Sequence, residues 1–216
     1  MKKVLLTVAV ALLATAGLNA QTQTSWGLKG GVNLAKYTKL EEAKNNTGFY
    51  VTGFADFALS PQFSIQPGLS LQGKGVKLEG DFDMSLPGLD LRGDAKVNRN
   101  IMSIEVPVNA VYYIPTGSGS VFIGAGPYIG FNVSGKDKVK GKVNGVSIDD
   151  KVSVKFSGDN KEMNVIDAGA NFMLGYKFVN GFLINGGYNL GLANVAADSD
   201  EKISNRVLSF GIGFQF

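Results

Sequence analysis

Apolar and polar residues alternate with period two along most of this chain, and that alternation predicts β-strands rather than helices. Near the start, Trp26, Leu28, Val32 and Leu34 share one face, and Lys29, Gly31 and Asn33 share the other. Phe49, Val51, Ala55, Phe57 and Leu59 then oppose Tyr50, Thr52 and Asp56, and Phe63, Ile65, Leu69 and Leu71 oppose Ser64, Gln66, Ser70 and Gln72. A fourth segment sets Met102, Ile104, Val106, Val108, Tyr112 and Ile114 against Ser103, Glu105 and Asn109. In the second half, Val121, Ile123, Ile129, Phe131 and Val133 face away from Gly124, Gly126, Gly130 and Asn132. Ile166 to Phe178 sets apolar residues against Asp167, Asn171 and Lys177, and Phe182 to Leu192 sets them against Asn185, Gly187 and Asn189. The closing segment has Leu208, Phe210, Ile212, Phe214 and Phe216 at alternate positions, with Ser209, Gly211, Gly213 and Gln215 between. Eight strands are predicted.

The connections alternate in length. Those at 59–62, 115–119 and 179–181 are tight and rich in Pro, Gly or Asn, whereas those at 37–47, 73–99, 134–161 and 194–204 are long and polar. Such alternation is the pattern of an antiparallel up-and-down transmembrane barrel. Within the two longest links, residues alternate again, and Asn144-Gly145 is a hairpin-turn signal. Strands three and four, and five and six, are therefore expected to run on beyond the membrane as hairpins; polar loops without structure are the alternative.

A soluble barrel would turn its apolar face inward and carry charge outside. Here one face is Phe, Leu, Ile, Val and Tyr, and the other is mostly Gly, Ser, Asn and Gln, small enough to fill a narrow lumen. Strands of roughly 10 to 13 residues match the hydrocarbon thickness of a bilayer crossed at a tilt. Trp26, Phe57, Phe63, Tyr112, Phe178, Phe182 and Phe216 all lie toward the short turns, as in an aromatic girdle at one interface. Pairing of the last strand with the first would leave no edge in lipid.

The first 20 residues, "MKKVLLTVAVALLATAGLNA", have a basic start, an apolar run and a small residue at Ala20, the pattern of a cleaved export leader. Two domains of the precursor follow: a signal peptide at 1–20 and a barrel at 21–216. Loss of Lys2 and Lys3 takes the formal charge from +3 to +1, which gives no reason to expect a nucleic-acid partner. With 29 Gly and 14 Phe the composition suits a β architecture, and the absence of Cys removes disulfides, thiolate metal sites and a lipidated cysteine.

The phrases "GLKGGVNLA", "IEVPVNAVYY", "GAGPYIGFN", "GYNLGLANV" and "FGIGFQF" resemble those of the outer-membrane β-barrel "porin family" proteins of Bacteroidetes, similar in shape to OmpA/OmpX-type eight-stranded barrels. The resemblance spans about residues 24 to 216 and implies residence in the outer membrane of a Gram-negative bacterium. It also implies contact with outer-membrane lipids and lipopolysaccharide, and with the barrel assembly machinery and periplasmic chaperones. A last strand with apolar residues at Phe210, Ile212 and Phe214 and a terminal Phe216 resembles the signal that this machinery reads in its clients.

Candidate chemistry is sparse. The chain has no His, so Ser-His-Asp and Cys-His nucleophiles and His metal sites are excluded. Lipid A acyltransferases, lipid A deacylases and omptin-type proteases are similar in shape but use a catalytic His, so no enzymatic activity is expected. "GAGPYIG" at 124–130 lacks the G-x-G-x-x-G spacing and a following helix, which points to packed lumen glycines. Asp81, Asp83, Asp90 and Asp94 lack the spacing of a calcium loop, leaving weak surface binding of divalent cations or lipopolysaccharide against a solvated acidic loop. No cofactor or metal is expected.

The inward-facing charges Lys29, Asp56, Glu105, Asp167 and Lys177 are the site residues of interest, because a buried charge needs a partner. Counted from the strand ends, Lys29 and Asp56 should lie level and adjacent, and with Glu105 and Lys177 they would form a network that plugs the barrel. The competing reading is a wet, selective pore. Functionally, these features lead to the expectation of a monomeric, non-enzymatic membrane scaffold whose long loops meet an extracellular partner. A narrow porin, or an accessory factor in envelope assembly or secretion, is the alternative.

Overall fold

The computed structural model describes residues 24–39, 43–86, 89–144, 146–158, 160–197 and 201–216. The expected leader at 1–20 lies outside the described residues. Among those described there are nine strands: β1 (Thr24–Tyr37), β2 (Lys44–Ala58), β3 (Phe63–Leu86), β4 (Leu89–Thr116), β5 (Gly119–Val143), β6 (Val146–Ser153), β7 (Ile166–Phe178), β8 (Phe182–Gly191) and β9 (Asn205–Gln215). All but β6 follow one another round an antiparallel ring, which closes where β9 returns to β1, from Gly27↔Gln215 to Tyr37↔Asn205. The eight expected staves are all present, and closure pairs both edges of each, so no backbone edge faces lipid.

The side-chain parity is inside-out relative to a soluble protein. On the outer wall Trp26 and Ile212 are each 58% exposed, whereas the lumen residues Asn33 and Asp167 are fully buried. In water such a wall would be an unbroken apolar patch, and only hydrocarbon supplies it with a matching solvent.

The short turns are locally encoded. Ser60 Oγ accepts the Phe63 amide at 3.1 Å, and Asn180 Oδ1 accepts the Phe182 amide at 3.0 Å, with Gly181 at φ +88° completing the β7–β8 turn. The expected aromatics gather at this end. Trp26 and Phe216 exchange backbone hydrogen bonds of 3.1 and 2.8 Å, Phe63 is paired with Tyr112, and the Phe178 ring packs on Tyr176 and Phe182 at 4.8 and 5.8 Å.

At the other end the wall is uneven. β3 and β4 stay paired up to Leu86↔Leu89, as the expected hairpin, and β4 and β5 stay paired up to Gly93↔Val143. The second expected hairpin differs from the reading that joined strands five and six. Its return arm is β6, which pairs only with β5 and is not continuous with β7. Asn144 stands at the turn with φ +48°, and Gly145 lies outside the described residues. The chain leaves the sheet because Val154 and Met163 are drawn under it to pack with Tyr37, Val76, Ile101 and Val195, an apolar cluster that Phe156 flanks.

One glycine makes room for a side chain that crosses the lumen. A Cβ on Gly211 would run into Tyr50 Oη, which accepts a 2.9 Å hydrogen bond from Asn185 Nδ2. Gly211→Val is therefore expected to displace Tyr50 and lower stability by about 1 to 3 kcal/mol, read as a fall in the urea midpoint of the folded barrel. An unchanged midpoint would mean that Tyr50 does not cross there.

Candidate functional site

The lumen is filled in tiers. In the upper tier, toward the long loops, Lys74 is only 1% exposed and donates to Asp167 Oδ2 at 2.7 Å while also contacting Glu105. Asp167 Oδ2 accepts further bonds from Asn205 Nδ2 at 2.8 Å and Tyr128 Oη at 3.4 Å, and Glu105 Oε2 accepts from Asn189 Nδ2 at 3.3 Å. The Lys74 ammonium also lies 5.0 Å from the centre of the Tyr128 ring. One cation is thus shared between two carboxylates, each of them held by a lumen amide. A buried ion group of this kind tolerates no missing member.

Above this group sits the apolar cap of Tyr37, Val76, Ile101, Val154, Met163 and Val195. Its two loops are laced together: Asn164 Nδ2 donates to the carbonyls of Asn194 and Ala196, each at 3.0 Å, and Asn164 N donates to Val195 O at 2.9 Å. Arg99 grips Asp137 with two nitrogens at 2.9 and 2.6 Å and reaches Glu162 at 3.2 Å, which ties the hairpins to the cap.

In the lower tier, Phe54, Val111, Tyr113, Phe122, Met173 and Leu183 form a second apolar cluster. Asp56 Oδ2 accepts from Gln66 Nε2 at 2.5 Å and from Tyr113 Oη at 2.7 Å. Lys177 lies 4.5 Å from the centre of the Tyr113 ring, and Lys29 donates to Met173 Sδ at 3.5 Å, with its ammonium 5.5 Å from the centre of the Phe54 ring.

Of the five predicted lumen charges, Glu105 and Asp167 come together, but around Lys74 rather than around Lys29 or Lys177. The expected Lys29–Asp56 pair does not form: β1 and β2 are registered with Lys29 opposite Thr52 and Asp56 opposite Ser25. Strand ends are a poor ruler in a barrel, because tilt and shear make β2 overhang the start of β1. Lys29 does start the hydrogen-bonded row that runs through Thr52, Ser70, Glu105, Gly130 and Asp167, and the tilted row climbs away from it. Lys74 lies at the start of the 73–99 link, the part expected to run on as a hairpin, outside the eight staves from which the candidate charges are taken. Its parity with Ser70 and Gln72, carried across Gly73, is the signal that marks it as a lumen residue.

The glycines of "GAGPYIG" lie within β5 and not in a phosphate-binding loop. A Cβ on Gly126 would strike the Val108 carbonyl of the neighbouring stave, so close strand approach accounts for it. Asp81 and Asp94 face each other across β3 and β4, and among the described residues no three potential ligands converge on a metal site. The side chains of Asp83 and Asp90 lie outside the described residues. Phe210, Ile212, Phe214 and Phe216 all stand on the outer wall.

Beyond the barrel, β3, β4, β5 and β6 make a four-stranded sheet with two unlike faces. Val76, Leu78, Val97 and Val139 continue the lumen side. The outer side is charged: Lys44 binds Glu79 at 2.5 Å, Lys96 approaches Glu79 at 3.9 Å, and Lys140 pairs with Asp149 at 3.0 Å. The Lys44 hydrogen bond holds the Glu79 carboxyl below its usual range.

Residues 19–197 match the family model described as outer membrane protein beta-barrel domain. Among solved structures, the chain is similar to Ail, the attachment invasion locus protein of Yersinia pestis, at 16% identity, covering 91% of this chain and 100% of that one, with a TM-score of 0.38. Neisserial surface protein A is 13% identical over 90% of this chain and 99% of its own, with a TM-score of 0.42. OprG from Pseudomonas aeruginosa is 13% identical over 91% and 98%, with a TM-score of 0.37. No curated protein matches the chain.

Proposed function

The chain belongs to the outer membrane protein β-barrel domain family, and from that premise we propose that it is a non-enzymatic scaffold: a plugged barrel that anchors a four-stranded sheet at the cell surface. The observation that carries this reading is the filled lumen, in which the Lys74–Glu105–Asp167 group lies beneath the apolar cap. This group and the cap fill the upper lumen, and an eight-stranded interior is only just wide enough for such side chains, which leaves no continuous water path. Single-channel recording of the mature protein, Gln21 to Phe216, in a planar bilayer tests it after a heat-dependent gel shift has verified folding. A silent bilayer is expected; discrete, reproducible current steps would overturn the plug.

A narrow pore is the second reading. It draws on a vestibule of about 720 Å³ at the short-turn mouth, lined in part by Asp56, Tyr113 and Lys177, and on a 50 Å³ cavity above it beside Lys29. In that reading Lys29 and Lys177 would select anions.

The rest of the proposal follows the sequence. Residues 1–20 direct export across the inner membrane of a Gram-negative cell, and the protein works as a monomer without cofactor. Phe210, Ile212, Phe214 and Phe216 present the last strand to the assembly machinery, with periplasmic chaperones as escorts. The finer likeness to Bacteroidetes porin-family and OmpA/OmpX-type barrels belongs to the same reading. Its surface sheet meets an extracellular partner, or serves as an accessory in envelope assembly.

A further inference from the structure

The charged face of the surface sheet is ordered by height. Strand register lines up Lys44, Lys77, Asn98, Lys138 and Lys151 in one row across β2 to β6. One row nearer the barrel, Lys136 lies between Asn100 and Ser153. Neither row contains a carboxylate. The row above is self-neutralising, with Glu79, Lys96, Lys140 and Asp149 in register, and the next adds Asp81 and Asp94. Lys77, Lys136, Lys138 and Lys151 make no ion pair among the described residues. Lys138 and Lys151 stand directly opposite each other, an arrangement that destabilises a sheet unless an anion lies over it.

The height of these rows identifies the anion. Lys136 follows Val133 and Ser134 on the same strand, so the cations begin where the lipid-facing wall of Phe131, Met102 and Phe49 ends. At this level the pairing of β2 with β3 shifts register between Asn45 and Tyr50, and a groove of about 300 Å³ opens on the outer wall. Phe49 and Met102 line its apolar part, and Asn100, Ser134 and Lys136 its polar part. A cationic rim above an apolar groove matches an amphiphile whose phosphate sits above an acyl chain.

We propose that the lower two rows, centred on Lys136, Lys138 and Lys151, bind the phosphorylated headgroup of an outer-leaflet glycolipid. This inference rests on the membrane-anchor reading and adds to it a defined lipid site. It assigns the lysines nearest the membrane to the lipid and leaves the mixed rows above them to soluble partners. Anionic headgroups near a membrane surface reward each added lysine, and the effect fades within a Debye length.

The test uses the mature chain folded into phosphatidylcholine nanodiscs that carry a minor fraction of bisphosphorylated lipid A. The triple variant K136Q/K138Q/K151Q is expected to retain lipid A about ten-fold more weakly than the parent. Dephosphorylated lipid A should bind the parent as poorly as the bisphosphate form binds that variant. K140Q/K142Q, altered in the higher rows, should bind like the parent. Equal retention by parent and triple variant would overturn the site. So would displacement of the effect to K140Q/K142Q, or a preference of the same lysines for soluble dextran sulfate with indifference to lipid A, which would make the face a polyanion surface. A parent that inserts and passes the gel-shift check while ignoring the phosphates overturns this inference alone; one that does not insert overturns the membrane-anchor reading as well.

Discussion

Replacing Lys74 with Ala is expected to destabilise the folded barrel by about 3 to 5 kcal/mol, because it leaves Glu105 and Asp167 buried without their shared cation. Protonation of one carboxyl could recover part of the loss, but the other would still face a low-dielectric lumen with only neutral donors. The single Trp26 stands on the outer wall and offers a fluorescence signal for urea unfolding in vesicles. The informative companion is K74M/E105L/D167L, which removes all the charge at similar volume. It is expected to regain most of the loss, since well-packed apolar replacements of buried ion groups are often neutral or better. If K74A is as stable as the parent, water reaches these groups, and the plug gives way to the pore reading.

A second large effect is expected from Phe210→Lys. Phe210 lies opposite Val32 on β1 and opposite Gly186 on β8, well inside the membrane-facing wall. A lysine near the midplane of a barrel's lipid face costs about 2 to 4 kcal/mol. The adjacent Ser209 points inward, so Ser209→Ala is expected to change stability by no more than about 0.5 kcal/mol. The contrast between neighbours is the measurement, made by equilibrium unfolding in phosphatidylcholine vesicles. Tolerance of Phe210→Lys would mean that this wall faces water and that the inside-out assignment is wrong.

The staves were legible because lipid outside and a narrow lumen inside impose opposite demands on successive residues, so Leu208 to Phe216 states its own orientation. The lumen network was legible only as a set of candidates. Parity identifies Glu105 and Asp167 as inward, yet which inward charges meet depends on register and shear. These are set by turn lengths and strand tilt, not by counting from strand ends, and so Lys29 and Asp56 were matched across residues that are four places out of register. Lys74 lies beyond the eight staves, at the start of the link expected to run on as a hairpin, and parity has to be carried past Gly73 to reach it; strand pairing does run uninterrupted from Gly73↔Met102 to Leu86↔Leu89. The separation of β6 from β7 is a tertiary effect. The hydrophobic demand of Tyr37, Val76 and Ile101 for a cover outcompetes continued pairing, and local alternation carries no record of that demand.

Among the described residues only β3, β4, β5 and the added β6 rise above the barrel, so the rim is high on one side and low along β7, β8 and β9. Variation is thereby channelled. An arm of the tall side can gain or lose residues in twos and keep its valines toward the lumen axis and its lysines toward the bilayer. A single inserted residue between Ser134 and Lys138 exchanges the two faces from that point upward. Length polymorphism in this hairpin thus keeps both faces in even steps, whereas an odd step keeps them only where a bulge takes up the extra residue, as Val133 does between Met102↔Ser134 and Ser103↔Asn132, and otherwise turns lysines over the mouth.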